Sequence, residues 1–170
     1  MHGWRTWLKE ELEKIGFEVV VPAMPSPDAP KVEEWIAAVE KAVGDADEFY
    51  LVGHSLGCPA ILRYLEKTKK RAGGAVLVAG FAEKLGEDFK ELDGFVEKPF
   101  EWQEIRKNCG RITAIFSDND PYIPLSQVAL FEKELSAKCV VLHKRGHFSS
   151  SEGTVKLPEA LDALLEMCGC

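Results

Sequence analysis

Short apolar runs, each the length of one strand, alternate along the chain with stretches of helical period. That alternation restricts the fold more than any other feature. Phe17 to Val21, Phe49 to Val52, Ala75 to Ala79, Ile112 to Ser117 and Cys139 to Leu142 are dominated by apolar residues. They read as strands buried on both faces. Between and around them, apolar residues recur at helical spacing in Trp4 to Ile15, Val32 to Val43, Pro59 to Lys70, Leu125 to Ala137 and Leu157 to Met167. Trp7, Leu8, Leu12 and Ile15 share one face of the first of these helices, and Val32, Trp35, Ile36 and Val39 share one face of the second. Gly16 stops the first helix, and the four prolines between Pro22 and Pro30 make a loop. Strands and helices alternating at this spacing predict βα units and a parallel sheet with helices on both faces.

The 170 residues fit one domain, 1–170. One segment breaks the rhythm. Gly80 to Gly110 interleaves Phe81, Phe89, Phe95, Phe100 and Trp102 with charge. It is too long for a plain connection and is expected to carry a helix or a lid-like insertion over 81–110. Its aromatics either line a substrate pocket or pack the segment onto the sheet.

A formal net charge of −7 argues against nucleic acid as a partner, because phosphate binding needs a basic face. The basic run Lys67 to Arg71 ends a predicted helix, where cations suit the macrodipole. The five cysteines are odd in number and include no C-x-x-C pair, so neither a disulfide framework nor a zinc site is expected. Nor does any motif call for a cofactor. Apolar runs are strand-sized, which leaves no membrane span or signal peptide to expect and makes the cytoplasm the default.

Chemistry concentrates at Gly53-His54-Ser55-Leu56-Gly57. A G-x-S-x-G string alone is weak. Here it follows the strand Phe49 to Val52 and leads into a helix, the context of a nucleophile elbow. The turn is sharp, so Gly53 and Gly57 would let neighbouring backbones approach. Ser55 would stand above the sheet, with Leu56 N–H facing a developing oxyanion. The plainer reading is a glycine turn with a serine helix cap. A serine hydroxyl needs a base, and His147 in Gly146-His147-Phe148 follows the last predicted strand, at the end of the sheet where open α/β folds bind ligands. His54 is expected to pack or bond locally, and His143 to be a satisfied surface residue; His2 is uninformative. The base needs an acid, and Asp118 and Asp120 compete after the fourth strand. Asp120 is favoured because it precedes Pro121 in a fixed turn, while Asp118 suits a backbone-capping role. Ser, Asp, His is the chain order of α/β-hydrolases.

The sequence resembles the small serine hydrolases typified by retinoblastoma-binding protein and bacterial YdeN-like proteins. The likeness runs over nearly the whole chain. It includes Trp7-Leu8-Lys9-Glu10-Glu11-Leu12, Met24-Pro25-Ser26-Pro27, Val52 to Ala60, Val76 to Phe81, Phe100-Glu101-Trp102, Asp120-Pro121-Tyr122-Ile123-Pro124 and Gly146-His147-Phe148. The resemblance implies an α/β-hydrolase-like three-layer sandwich with a mainly parallel sheet. It also implies a triad on Ser55, Asp120 and His147, the residues chosen above on chemical grounds. Relatives begin with an extra strand and a glycine-rich loop ahead of the helix that starts here at Trp4. That strand would lie between the first two strands of this chain, and its loop supplies a second oxyanion N–H. With neither in this sequence, the chain is expected to be marginally stable, self-associating at its sheet edges, or weakly active. The vertebrate member's Leu-x-Cys-x-Glu pocket-protein motif is absent, since Ala42 to Glu48 reads A-V-G-D-A-D-E.

The leading expectation is an enzyme that cleaves a small carboxylic ester or amide through an acyl-enzyme, with a small acyl compound as its partner. The rival is a non-catalytic binding domain on a hydrolase scaffold. A flavodoxin-like module is disfavoured because no glycine-rich phosphate loop follows a strand.

Overall fold

The computed structural model describes residues 3–170; His2 lies outside them. Helices α1 (Trp4–Lys14) and α2 (Val32–Val43) precede strand β1 (Tyr50–His54) and helix α3 (Gly57–Lys67). Then come β2 (Gly74–Val78), α4 (Trp102–Asn108), β3 (Ile112–Ser117), α5 (Ser126–Leu135), β4 (Lys138–Leu142) and α6 (Pro158–Cys168). Helix α3 begins two residues before Pro59. The proline therefore sits in the first turn, where its missing N–H breaks no helical bond.

The sheet runs β1-β2-β3-β4, and every pair is parallel. Val52 lies opposite Val76, Val76 opposite Thr113 and Ile115 opposite Val140. Consecutive parallel neighbours need crossovers, and right-handed crossovers place α3, α4 and α5 on one face. There α3 packs on α2 and α4, and α4 on α5; on the opposite face α6 lies against β2 and β3 and carries α1. Every residue of β2 and β3 is buried as a result. The architecture is the α/β-hydrolase-like sandwich expected from the sequence.

One expected strand does not form. Phe17 to Val21 belongs to no ladder, although its residues alternate inward and outward as a strand's do. Phe17 and Val19 pack against the core, while Glu18 and Val20 face out. Phe17 meets β1 in an edge-to-face contact with Tyr50 at 6.5 Å, and the carbonyl of Val19 accepts from Lys9 Nζ at 3.1 Å. A period-two pattern dictates which side chains are buried, but strand geometry also needs a neighbouring backbone within about 4.8 Å. Among the described residues none lies beside this run. For the same reason β1 pairs only with β2, and Val52 on it is 37% exposed.

The segment between β2 and β3 carries a 3-10 stretch, Glu87–Phe95, and then α4. Phe81, Phe95 and Phe100 are buried, so these aromatics are packing residues. Part of the segment is fastened by a buried cation. Arg63 of α3 donates to the carbonyls of Phe95 at 2.8 Å, Pro99 at 3.3 Å and Lys98. It pairs with Glu66 at 2.9 Å and lies 3.7 Å from the centre of the Phe100 ring. Removing the guanidinium would leave the nearly buried Glu66 carboxylate without its counter-charge and the Phe95 carbonyl without its donor. Arg63→Met is expected to cost about 3–5 kcal/mol of stability, measured by urea unfolding.

Candidate active site

Because all four strands are parallel, their carboxyl ends lie on one side of the sheet. Ser55 directly follows β1, Asp120 lies three residues past β3, and His147 lies five residues past β4. Ser55 has φ 52°, a left-handed conformation that costs a non-glycine residue about 1–2 kcal/mol. It is pinned there by its N–H donating to Val78 O and its C=O accepting from Cys58 N–H, both at 2.9 Å. The two elbow glycines differ. A Cβ on Gly53 would come within 2.9 Å of the Gly57 backbone, whereas a Cβ on Gly57 would meet nothing within 4 Å. Close approach therefore demands glycine at 53 only.

The hydroxyl of Ser55 lies 2.9 Å from His147 Nε2, and His147 Nδ1 lies 2.9 Å from Asp120 Oδ2. A carboxylate only accepts, so Nδ1 carries the proton and Nε2 is free to accept from Ser55 Oγ. Asp120 is nearly sealed from solvent, with 2% side-chain exposure against 14% for His147. Its other oxygen accepts the N–H groups of Tyr122 and Ile123 at 2.9 and 3.1 Å, which fixes the carboxylate in its turn.

Asp118 stands elsewhere. It pairs with exposed His143 at 2.6 Å and accepts Lys144 N–H at 2.8 Å, which hold its carboxyl below the usual range. It belongs to a strap between two loops. Lys144, Arg145 and Gly146 donate their successive N–H groups to Asp118 Oδ1, Ser117 Oγ and Asn119 Oδ1 at 2.8–2.9 Å. The loop leading to His147 is thus sewn onto the loop leading to Asp120. It needs the stitching, because Lys144, Gly146 and Phe148 all have φ between 52° and 57°.

The amide N–H of Leu56 donates to no protein acceptor among the described residues, as an oxyanion donor must before substrate arrives. Tyr122 is 49% exposed and meets the His147 ring edge-on at 5.0 Å, and Phe89 meets Tyr122 at 5.8 Å. Of the aromatics in 81–110, Phe89 is the one linked to this site. Recesses of about 310 and 380 Å³ lie elsewhere, beside Arg71 and Arg111 and behind the histidine loop at Lys144 and Lys156. Neither is lined by Ser55.

Two residues near the site were not assigned a part in it from the sequence. His54, expected to bond locally, reaches across the chain to the backbone of His147 at 2.8 Å. Glu152 folds back onto the same loop through a capping box with Ser149. The pattern Ser149-x-x-Glu152 was a readable signal for the second; nothing local signals the first.

The family model described as serine hydrolase matches residues 1–166. The chain belongs to the serine hydrolase family. It is 35% identical over 164 residues to the YdeN hydrolase of Bacillus subtilis (strain 168), covering 95% of this chain and 86% of that one. It is 30% identical over 152 residues to serine hydrolase RBBP9 of Rattus norvegicus, covering 89% and 81% respectively. The crystal structure of the B. subtilis ydeN gene product superposes with a TM-score of 0.92 at 33% identity, covering 99% of this chain and 91% of that one. A YdeN-like hydrolase from Pectobacterium atrosepticum superposes with a TM-score of 0.74 over 99% of this chain and 83% of its own, and at 18% identity that likeness speaks to the fold.

For this serine hydrolase the contrast between the elbow glycines is testable. Gly53→Ala must push the Gly57 backbone aside and is expected to cost about 1–3 kcal/mol. Gly57→Ala is expected to be neutral or to stabilise by up to about 1 kcal/mol. Thermal unfolding of the two variants measures the difference.

Proposed function

We propose that this serine hydrolase cleaves small carboxylic esters or amides through an acyl-enzyme on Ser55. The observation that carries the reading is the unbroken chain of hydrogen bonds from Ser55 Oγ through His147 to Asp120. As Ser55 Oγ attacks the acyl carbon, its proton passes to His147 Nε2, and Asp120 stabilises the imidazolium that forms. The carbonyl electrons move onto the oxygen, where Leu56 N–H is the available donor. Collapse breaks the bond to the leaving group, which takes the proton from Nε2. Water then attacks the acyl carbon, giving a proton to His147, and the acid departs as Ser55 recovers its hydrogen.

The substrate class rests on shape and surface. Tyr122 with Phe89 offers an apolar edge beside His147 for a short acyl or alkyl group. A net charge of −7 supports a neutral small molecule rather than nucleic acid. No helix among the described residues is long and apolar enough to cross a membrane. Five free cysteines, two of them buried, support a reducing compartment such as the cytoplasm.

Turnover of a p-nitrophenyl ester tests the roles. Ser55→Ala is expected to abolish it. Asp120→Asn is expected to lower kcat on the order of a thousand- to ten-thousandfold, because the histidine tautomer is lost. Asp118→Asn removes charge from the strap but keeps an acceptor for Lys144 N–H, so a loss under about tenfold is expected. A larger loss at Asp118 would assign the acid wrongly. A scaffold kept for binding alone would show no turnover that depends on Ser55.

A further inference from the structure

The base sits in a loop that no strand or helix holds. Its flanking residues Gly146 and Phe148 have φ 55° and 57°, so neither extends a regular hydrogen-bond ladder through His147. Both backbone polar groups of His147 are nevertheless satisfied, each by a side chain. The N–H donates to the two oxygens of Glu152 at 3.0 and 3.1 Å. That carboxylate also accepts Ser149 N–H at 3.1 Å and Ser149 Oγ–H at 2.5 Å. The C=O accepts from His54 Nε2 at 2.8 Å. His54 is itself held, with Nδ1 3.3 Å from Arg5 Nη1 and its ring edge-on to Trp4 at 5.7 Å.

We propose that His54 and Glu152 clamp the backbone of His147 from its two ends and are positioning residues for the base. The proposal deepens the reading of Ser55, His147 and Asp120 as a hydrolytic triad and rests on it. His54 adjoins Ser55 in the chain. Its bond to His147 O therefore ties base to nucleophile at two points, and movement of the elbow carries the histidine loop with it. Glu152 holds the peptide unit on the other side of the His147 Cα. With its backbone fixed at both ends, the imidazole keeps only its side-chain torsions, and Asp120 sets those.

The protonation states fit this role. A carbonyl only accepts, so His54 Nε2 carries a hydrogen; Arg5 only donates, so His54 Nδ1 must be bare. The ring is then neutral. Burial, aided by the neighbouring charges of His147 and Arg5 and opposed by the bond to His147 O and by Asp120, lowers its titration to about 4. A neutral His54 matters because its ring lies 5.0 Å from that of His147, where a positive charge develops during acyl transfer. The groups facing His54 are Arg5 from α1, His147 from the loop after β4 and Asp120 from the loop after β3. Those facing Glu152 are His147 and Ser149, and its carboxyl is held below the usual range chiefly by the Ser149 hydroxyl.

The test pairs kinetics with spectra of histidine labelled with nitrogen-15. His54→Phe keeps the ring against Trp4 but loses the donor, while His54→Gln restores an N–H at nearly the same reach. On a p-nitrophenyl ester, His54→Phe is expected to lower kcat by on the order of tenfold to a hundredfold, the scale of a small misplacement of a catalytic group. KM should stay within about twofold. His54→Gln should recover most of the loss, and Glu152→Gln, which keeps one acceptor oxygen, should lose less than about tenfold in kcat. In the wild-type spectra His54 is expected as the Nε2–H tautomer from pH 5 to 9. Wild-type kcat in His54→Phe, a folded His54→Gln as impaired as His54→Phe, or an Nδ1–H tautomer at His54 would each overturn the proposal. Should the wild-type protein show no turnover dependent on Ser55, the hydrolytic reading fails, and the tautomer still decides whether the clamp exists.

Discussion

Everything at the site depends on where one imidazole is held. His147 must place Nε2 against Ser55 and Nδ1 against Asp120 at once, with 2.9 Å on each side. Those partners come from loops after β1 and β3, while the histidine follows β4. Only a sheet whose strands all point the same way delivers three such loops to one edge. The burial of β2 and β3 between two helical layers makes that edge rigid, and the strap from Ser117, Asp118 and Asn119 transfers the rigidity to the histidine loop. Ser55, Lys144 and Phe148 adopt left-handed conformations, and long-range hydrogen bonds hold the loops that carry them.

The same sheet has a weak side. β1 bears the elbow, yet among the described residues it pairs on one edge only, and Val52 is partly exposed along it. An open, flat edge invites pairing with another backbone. The elbow itself does not depend on that edge. It is fixed from the β2 side by Val78 and from α3 by Cys58.

Much of this was legible in the sequence because the relevant signals were local. The helices and the four paired strands follow from apolar period and length. The elbow follows from Gly53 to Gly57 lying between a strand and a helix. Asp120 was separable from Asp118 by the proline after it, since a residue held in a turn can aim its carboxylate. What the sequence withheld depended on distant partners. Phe17 to Val21 has a strand's pattern and lacks a strand's neighbour. His54 looked like a local packing residue because its acceptor lies 93 residues away in the chain. Gly57 looked obligatory beside Gly53, although only the latter meets a neighbouring backbone. Periodicity reports burial, whereas hydrogen-bond partners across the fold are set by topology.

Covalent trapping separates a Ser55 nucleophile activated by His147 from an inert serine. The protein would be treated with a fluorophosphonate at neutral pH, and the adduct located by peptide mass spectrometry. The account requires one adduct, on the peptide carrying Ser55, that disappears in Ser55→Ala and forms far more slowly in His147→Ala. An unlabelled wild-type protein, an adduct on another residue, or undiminished labelling of Ser55→Ala would contradict it.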